Sequence, residues 1–150
     1  MRLWQFAQRV LKVIFRHPIV GTSIIPVLSD GRIVLIQRSD TRKWAFPGGM
    51  VDWGEDITTT VQRELLEETG LQVVQVRRLV GIYSAPGRDG RVHSICVLVE
   101  VEAEGQVNIR DPFEVLNVQA FTLESIPVGN LSHDHDRQFQ DYLSGATILA

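Results

Sequence analysis

The chain has one cysteine, Cys96, and it lies within the apolar run Ile95–Val99. An intramolecular disulfide is therefore excluded, and a reducing compartment such as the cytoplasm is expected. No apolar run approaches the roughly 20 residues of a membrane-spanning helix, and internal repeats and low-complexity tracts are absent. Positive charge is not in excess: 15 Lys and Arg face 18 Asp and Glu, for a net charge of −3. No global basic field is available to hold duplex nucleic acid or an anionic membrane, so a small-molecule partner is expected. Neither a P-loop spacing nor a GxGxxG run occurs, which removes the signals for a P-loop NTPase or a dinucleotide-binding dehydrogenase.

What is present suits one globular domain, since 150 residues with 44% hydrophobic content can bury an adequate core. Residues 1–17 precede it and read as an amphipathic basic helix, with Leu3, Ala7, Val10, Leu11 and Ile14 interleaved with Arg2, Arg9, Lys12 and Arg16. The interrupting charges, and the lack of a small-residue cleavage site, argue against a signal peptide. Such a helix packs on its own domain or on a second subunit as a homodimer. The alternative is a helix lying on a membrane surface through Trp4, Phe6 and Phe15.

Residues 18–150 alternate between β-branched runs and helical spacing. Strands are expected over Ile19–Leu28 and Arg32–Arg38, with Asp30-Gly31 making a tight hairpin, and over Leu71–Ile82, Val92–Val101 and Glu114–Phe121. Helices are expected over Asp56–Thr69, stopped by Gly70, and over Ser132–Leu143 with Ser132 as the cap. The tetrad His133-Asp134-His135-Asp136 invites a metal reading, against which stands the reading of capping, solvent-facing polar residues at a helix start.

The informative stretch is Pro47–Leu71. Gly48 and Gly49 after a proline give a sharply turning loop that exposes carbonyls. In the helix that follows, at about 100° per residue, Glu64, Glu67 and Glu68 share one face. Like charges one turn apart repel, and acids in the last turns oppose the helix dipole. A hard divalent cation such as Mg²⁺ resolves that repulsion, with the Gly48 carbonyl as a further oxygen ligand. Arg63, one turn before Glu67, is placed to orient that carboxylate. Arg38, at a strand end, either reaches a phosphate or is solvated, and Arg88, in the loop after Tyr83, either contacts substrate or merely belongs to a turn.

The pattern Gly49-x5-Glu55-x7-Arg63-Glu64-Leu65-x-Glu67-Glu68-x-Gly70-Leu71 resembles the complete Nudix box. That resemblance implies an α/β (α+β) fold, a mixed β-sheet sandwiched between α-helices. It also implies metal-dependent hydrolysis of a nucleoside diphosphate linked to another moiety, with Glu64, Glu67, Glu68 and the Gly48 carbonyl as metal ligands. Glu114 resembles the family's acidic residue outside the box, so Glu64 or Glu114 is the expected general base. Tyr83–Asp89 followed by His93 resembles the ADP-ribose pyrophosphatase-like members, placing ADP-ribose or a nucleotide sugar first. An ordinary or oxidised nucleoside triphosphate is the alternative, and a non-catalytic nucleotide sensor is the alternative of another class. The tryptophan that many members carry near Ala120 is missing here.

Overall fold

The computed structural model describes residues 4–8, 10 and 17–150. Of the segment 1–17, residues 4–8 and 10 are helical, with Trp4 and Phe6 exposed; the rest of the expectation for that segment, Phe15 included, lies outside the described residues apart from His17. No helix among the described residues is long and apolar enough to cross a membrane.

Seven strands and two α-helices follow in the order β1 (Ile19–Val27), β2 (Ile33–Arg38), β3 (Trp44–Ala45), α1 (Ile57–Thr69), β4 (Gln72–Tyr83), β5 (Ser94–Glu104), β6 (Val115–Phe121), α2 (His135–Ser144) and β7 (Ile148–Leu149), with a short 3-10 turn at Leu123–Ser125. They form one mixed sheet in the order β3-β2-β1-β5-β4-β7, with β6 paired to β2. The β1–β5 and β4–β7 pairs are parallel and the others antiparallel.

Strand alternation divides the core between the two faces of the sheet. Ile24, Val34, Ile36, Val99 and Val101 pack with Val61 and Leu65 of α1. Their neighbours Ile25, Ile33, Leu35 and Leu98 pack with Tyr83 and with Phe139 of α2. The sheet therefore lies between the helices, as the expected fold class requires.

The first turn forms as expected: the Gly31 N–H donates to the Leu28 carbonyl at 2.9 Å, and Gly31 takes a φ of 83°. The strands it joins do not make a long hairpin, however. β1 and β2 share a single partner pair, Val27 with Ile33. The cause is a competing segment. The Ile24 and Thr22 N–H groups donate to the carbonyls of Pro47 and Gly49, each at 2.8 Å, and Val51 N–H donates to the Val20 carbonyl at 3.0 Å. The glycine loop thus occupies the edge of β1 that β2 would otherwise take.

Helix α1 is bounded as its sequence dictates. The Asp56 side chain accepts from the Thr59 N–H at 2.7 Å, and Gly70 closes the helix in the left-handed region at φ 80°. Helix α2 departs from expectation at its start. Ser132 does not cap it with its side chain. The residue is buried, its N–H donates to the Trp44 carbonyl at 2.7 Å, and its carbonyl accepts from His135 N–H at 3.1 Å. The N-cap position belongs to Asp134, whose carboxylate makes no capping bond.

Gly70 and Gly87 both take left-handed backbone, but a Cβ on Gly70 would lie 2.6 Å from the Asn108 nitrogen, whereas one on Gly87 would meet nothing within 4 Å. Gly87→Ala should therefore cost only the left-handed backbone penalty, about 1–2 kcal/mol, and Gly70→Ala distinctly more. Urea unfolding midpoints of the two variants check this; equal losses would show that the Asn108 contact carries no weight.

Candidate active site

The glycine loop brings the box together. With the Pro47 and Gly49 carbonyls turned toward β1, the Gly48 N–H points the other way and donates to Glu68 Oε2 at 2.8 Å. Both glycines are required by space. A Cβ on Gly48 would come within 2.1 Å of the Thr22 carbonyl oxygen, and one on Gly49 within 2.2 Å of Glu64 Oε1. The Gly48 carbonyl is the one in this trio that the sheet does not use.

Glu68 is buried, and that desolvation, opposed by the Gly48 N–H and reinforced by the nearby charges of Glu64 and Glu114, pushes its carboxyl up to about 8. Burial likewise raises Glu64, against the pull of Arg63 and with Glu67 and Glu114 adding repulsion. Glu64, Glu68 and Glu114 are thus electrostatically coupled, across α1 and the start of β6.

Glu67 stands apart, with its side chain half exposed and 3.5 Å from Arg63. Among the described residues no group of three or more His, Cys, Asp or Glu is assembled to hold a metal ion. The donor set nevertheless fits a hard divalent cation. It offers oxygens only, on carboxylates that repel one another, beside a loop whose glycines leave no room for a Cβ.

Arg63 does more than orient Glu67. Its Nε donates to Glu55 Oε1 at 2.8 Å, Nη2 to Glu55 Oε2 at 2.9 Å and to the Met50 carbonyl at 3.1 Å, and Nη1 to Glu64 Oε1 at 2.8 Å. The two-pronged grip of Arg63, helped by the Thr60 hydroxyl, lowers Glu55 to about 2. Glu55 was visible in the sequence as a fixed position of the box, but with no role. The structure makes it the anchor that holds Arg63 against Glu64.

Glu64, Glu114, Arg38 and Arg88 line one cleft of about 380 Å³, together with Gly48, Gly49 and Asp52. Arg38 is gripped by Asp40, at 2.9 and 2.8 Å. Arg88 is held by Asp134 at 2.7 Å and by the Ser94 hydroxyl at 2.6 Å.

The tetrad His133–Asp136 is not the solvent-facing helix start expected of it. His135 is buried, and its Nδ1 accepts from the Phe46 N–H at 3.0 Å. Asp134 is committed to Arg88 and Asp136 to the Gly129 N–H, leaving His133 exposed. The start of α2 lines the cleft through His133 and His135, and local spacing cannot report that.

The Nudix domain model matches residues 17–142, and the chain belongs to the Nudix family. It is a Nudix hydrolase, an enzyme of pyrophosphate bonds in nucleoside diphosphate-linked compounds. It is 33% identical over 133 residues to an ADP-ribose pyrophosphatase of Methanocaldococcus jannaschii, covering 87% of this chain and 76% of that protein. It is 36% identical over 66 residues to a putative 8-oxo-dGTP diphosphatase of Bacillus subtilis, covering 44% of each. A MutT NUDIX hydrolase of Burkholderia pseudomallei superposes with a TM-score of 0.73 at 25% identity, over 84% of this chain and 98% of that one.

Two outcomes follow from this geometry. Gly49→Ala meets the movable end of Glu64, so it should keep the unfolding midpoint while lowering turnover about tenfold or more through a misplaced carboxylate. Gly48→Ala meets the backbone of β1 and should lower the unfolding midpoint as well. A Gly49→Ala enzyme of full activity would dissociate the Glu64 position from catalysis.

His135 gives the second. Burial depresses its ring to about 3, against an ordinary value of 6.5. Between these values the unfolded chain binds the extra proton, so the contribution of His135 is complete above pH 6.5 and is lost on acidification at about 1.4 kcal/mol per pH unit. His135→Gln, which keeps an acceptor for Phe46, should show a shallower fall in stability between pH 6.5 and 3. Parallel curves from urea titrations across that range would contradict the assignment.

Proposed function

We propose that the protein hydrolyses the pyrophosphate of ADP-ribose or of a closely similar nucleotide sugar, in the cytoplasm, with Mg²⁺ or Mn²⁺ held by Glu64, Glu67, Glu68 and the Gly48 carbonyl. The observation that carries the substrate class is the 33% identity to the ADP-ribose pyrophosphatase across 87% of this chain. A nucleoside triphosphate is the second reading, favoured by the shorter likeness to the putative 8-oxo-dGTP diphosphatase.

A bound divalent cation would offset the charge of the diphosphate oxygens and make a nearby water more acidic. The chain's own residues do the rest. The Gly48 N–H fixes one oxygen of Glu68 at 2.8 Å. Glu55 fixes Arg63, which in turn fixes Glu64 at 2.8 Å. Such preorganisation holds the carboxylates in place before substrate arrives, so no rearrangement cost falls on the reaction. The proton of the attacking water goes to Glu64 or Glu114, the two glutamates that line the cleft. Arg38, which lines the cleft, takes a phosphate by exchange of its partner Asp40 for the incoming anion. The amphipathic pattern of residues 1–17, of which 4–8 and 10 are helical, is the feature through which contact with a membrane or a second copy of the chain would act.

The test is nucleotide release from ADP-ribose, nucleotide sugars and nucleoside triphosphates, with Mg²⁺, with Mn²⁺ and with a chelator, using Glu68→Gln as control. AMP release from ADP-ribose that needs the metal, and that falls at least about a hundredfold in the variant, is the expected result. Preference for a triphosphate would move the protein to the second reading. Binding of ADP-ribose without turnover would make it a sensor.

A further inference from the structure

One wall of the cleft contains a costly arrangement that the hydrolytic chemistry does not use. Arg88, in the loop between β4 and β5, pairs with Asp134 at the start of α2 at 2.7 Å, and both side chains are nearly buried, at 11% and 15% exposure. The second terminal nitrogen of Arg88 donates to Ser94 Oγ at 2.6 Å, and Gln138 Nε2 donates to the same Asp134 oxygen at 3.2 Å. Arg88 Nε, Asp134 Oδ2 and Gln138 Oε1 are buried with no hydrogen-bond partner among the described residues.

Taking this pair out of water is expensive, and an apolar pair of the same volume would serve stability as well. What an ion pair adds is a fixed geometry between two elements. Here those elements are the turn-rich loop 84–93 and the N-terminus of α2, joined across 46 residues of sequence. Arg88, Asp89 and Arg91 line the cleft from the loop, Ser94 from the start of β5 beside it, and His133 and His135 from the start of α2. Both terminal nitrogens of Arg88 are already engaged and its Nε is buried, so the guanidinium is badly placed to serve as a phosphate ligand.

We infer that Arg88 and Asp134 are positioning residues. Their pairing locks the loop 84–93 against α2 to form the wall on which one sugar-phosphate half of the substrate seats, and so sets selectivity for diphosphates carrying such a half. The inference rests on the pyrophosphatase reading above.

Arg88→Gln, Asp134→Asn and the double variant test it, with Arg88→Lys as the conservative replacement and Ser94→Ala as a milder release of the loop should a charge-removing variant fold poorly. KM for ADP-ribose should rise about tenfold in either single variant and no further in the double, as for directly coupled partners. kcat should stay within about threefold, because no group touching the scissile bond changes. Arg88→Lys, which can still pair with Asp134 but cannot also hold Ser94, should fall in between. As competitive inhibitors, AMP or ribose 5-phosphate should weaken with KM, identifying the half that seats on this wall, while inorganic pyrophosphate should keep its inhibition constant.

An equal weakening of pyrophosphate would overturn the inference by making Arg88 an anion ligand. Unchanged KM, or additive losses in the double variant, would overturn it by removing the lock. If the unmodified enzyme does not cleave ADP-ribose, it is the substrate reading that fails. Calorimetric binding of AMP and ribose 5-phosphate to the same variants then still decides the role of the pair.

Discussion

Everything in the site hangs on the close approach of two backbones, the loop Pro47–Val51 and the edge of β1. The bonds from Thr22 and Ile24 to the carbonyls of Gly49 and Pro47 hold that loop inside the sheet, in space that a regular β1–β2 hairpin would fill. Once it is there, the direction of each peptide follows from strand alternation. Alternate carbonyls face β1, and the Gly48 N–H faces α1, where it meets Glu68. Any side chain at Gly48 would collide with the Thr22 carbonyl, so the contact exists only because Cβ is missing.

The second constraint is electrostatic. Helix α1 ends in carboxylates where its dipole favours cations, and burial makes the cost greater for Glu68 and Glu64. The chain compensates by aiming one backbone N–H at Glu68 and by planting Arg63 among Glu55, Glu64 and Glu67. Repulsion remains after those contacts are counted, and it is this residue of repulsion that suits the site to a divalent cation. The same logic of paired charge recurs where Arg88 and Asp134 hold a loop and a helix end in one arrangement.

Much of this was legible in the sequence because it is local. Asp56 and Gly70 bounding α1, the one-turn spacing of Glu64 and Glu68, and the Asp30-Gly31 turn all depend on residues a few positions apart. The alternation of apolar residues gave the strands, and hence a sheet with two buried faces. What was not legible depends on partners far along the chain. The opening of the β1–β2 hairpin needs a loop more than 20 residues away. The burial of His135 needs Phe46, at a separation of 89, and the loss of Ser132 as a cap needs Trp44. The site followed the same rule, since Arg63 was read against Glu67, one turn away, while its strongest partner, Glu55, lies eight residues back in the loop.

The most direct test of the account is cation binding itself, measured apart from turnover. Titration with Mn²⁺, followed by the loss of the free-ion electron paramagnetic resonance signal, should show saturable binding to the unmodified protein. Glu68→Gln and Glu64→Gln should each weaken it by about tenfold or more, the loss typical when a metal site is disturbed. Binding of the same strength in all three proteins would contradict the claim that the glycine loop and the glutamates of α1 exist to hold a cation.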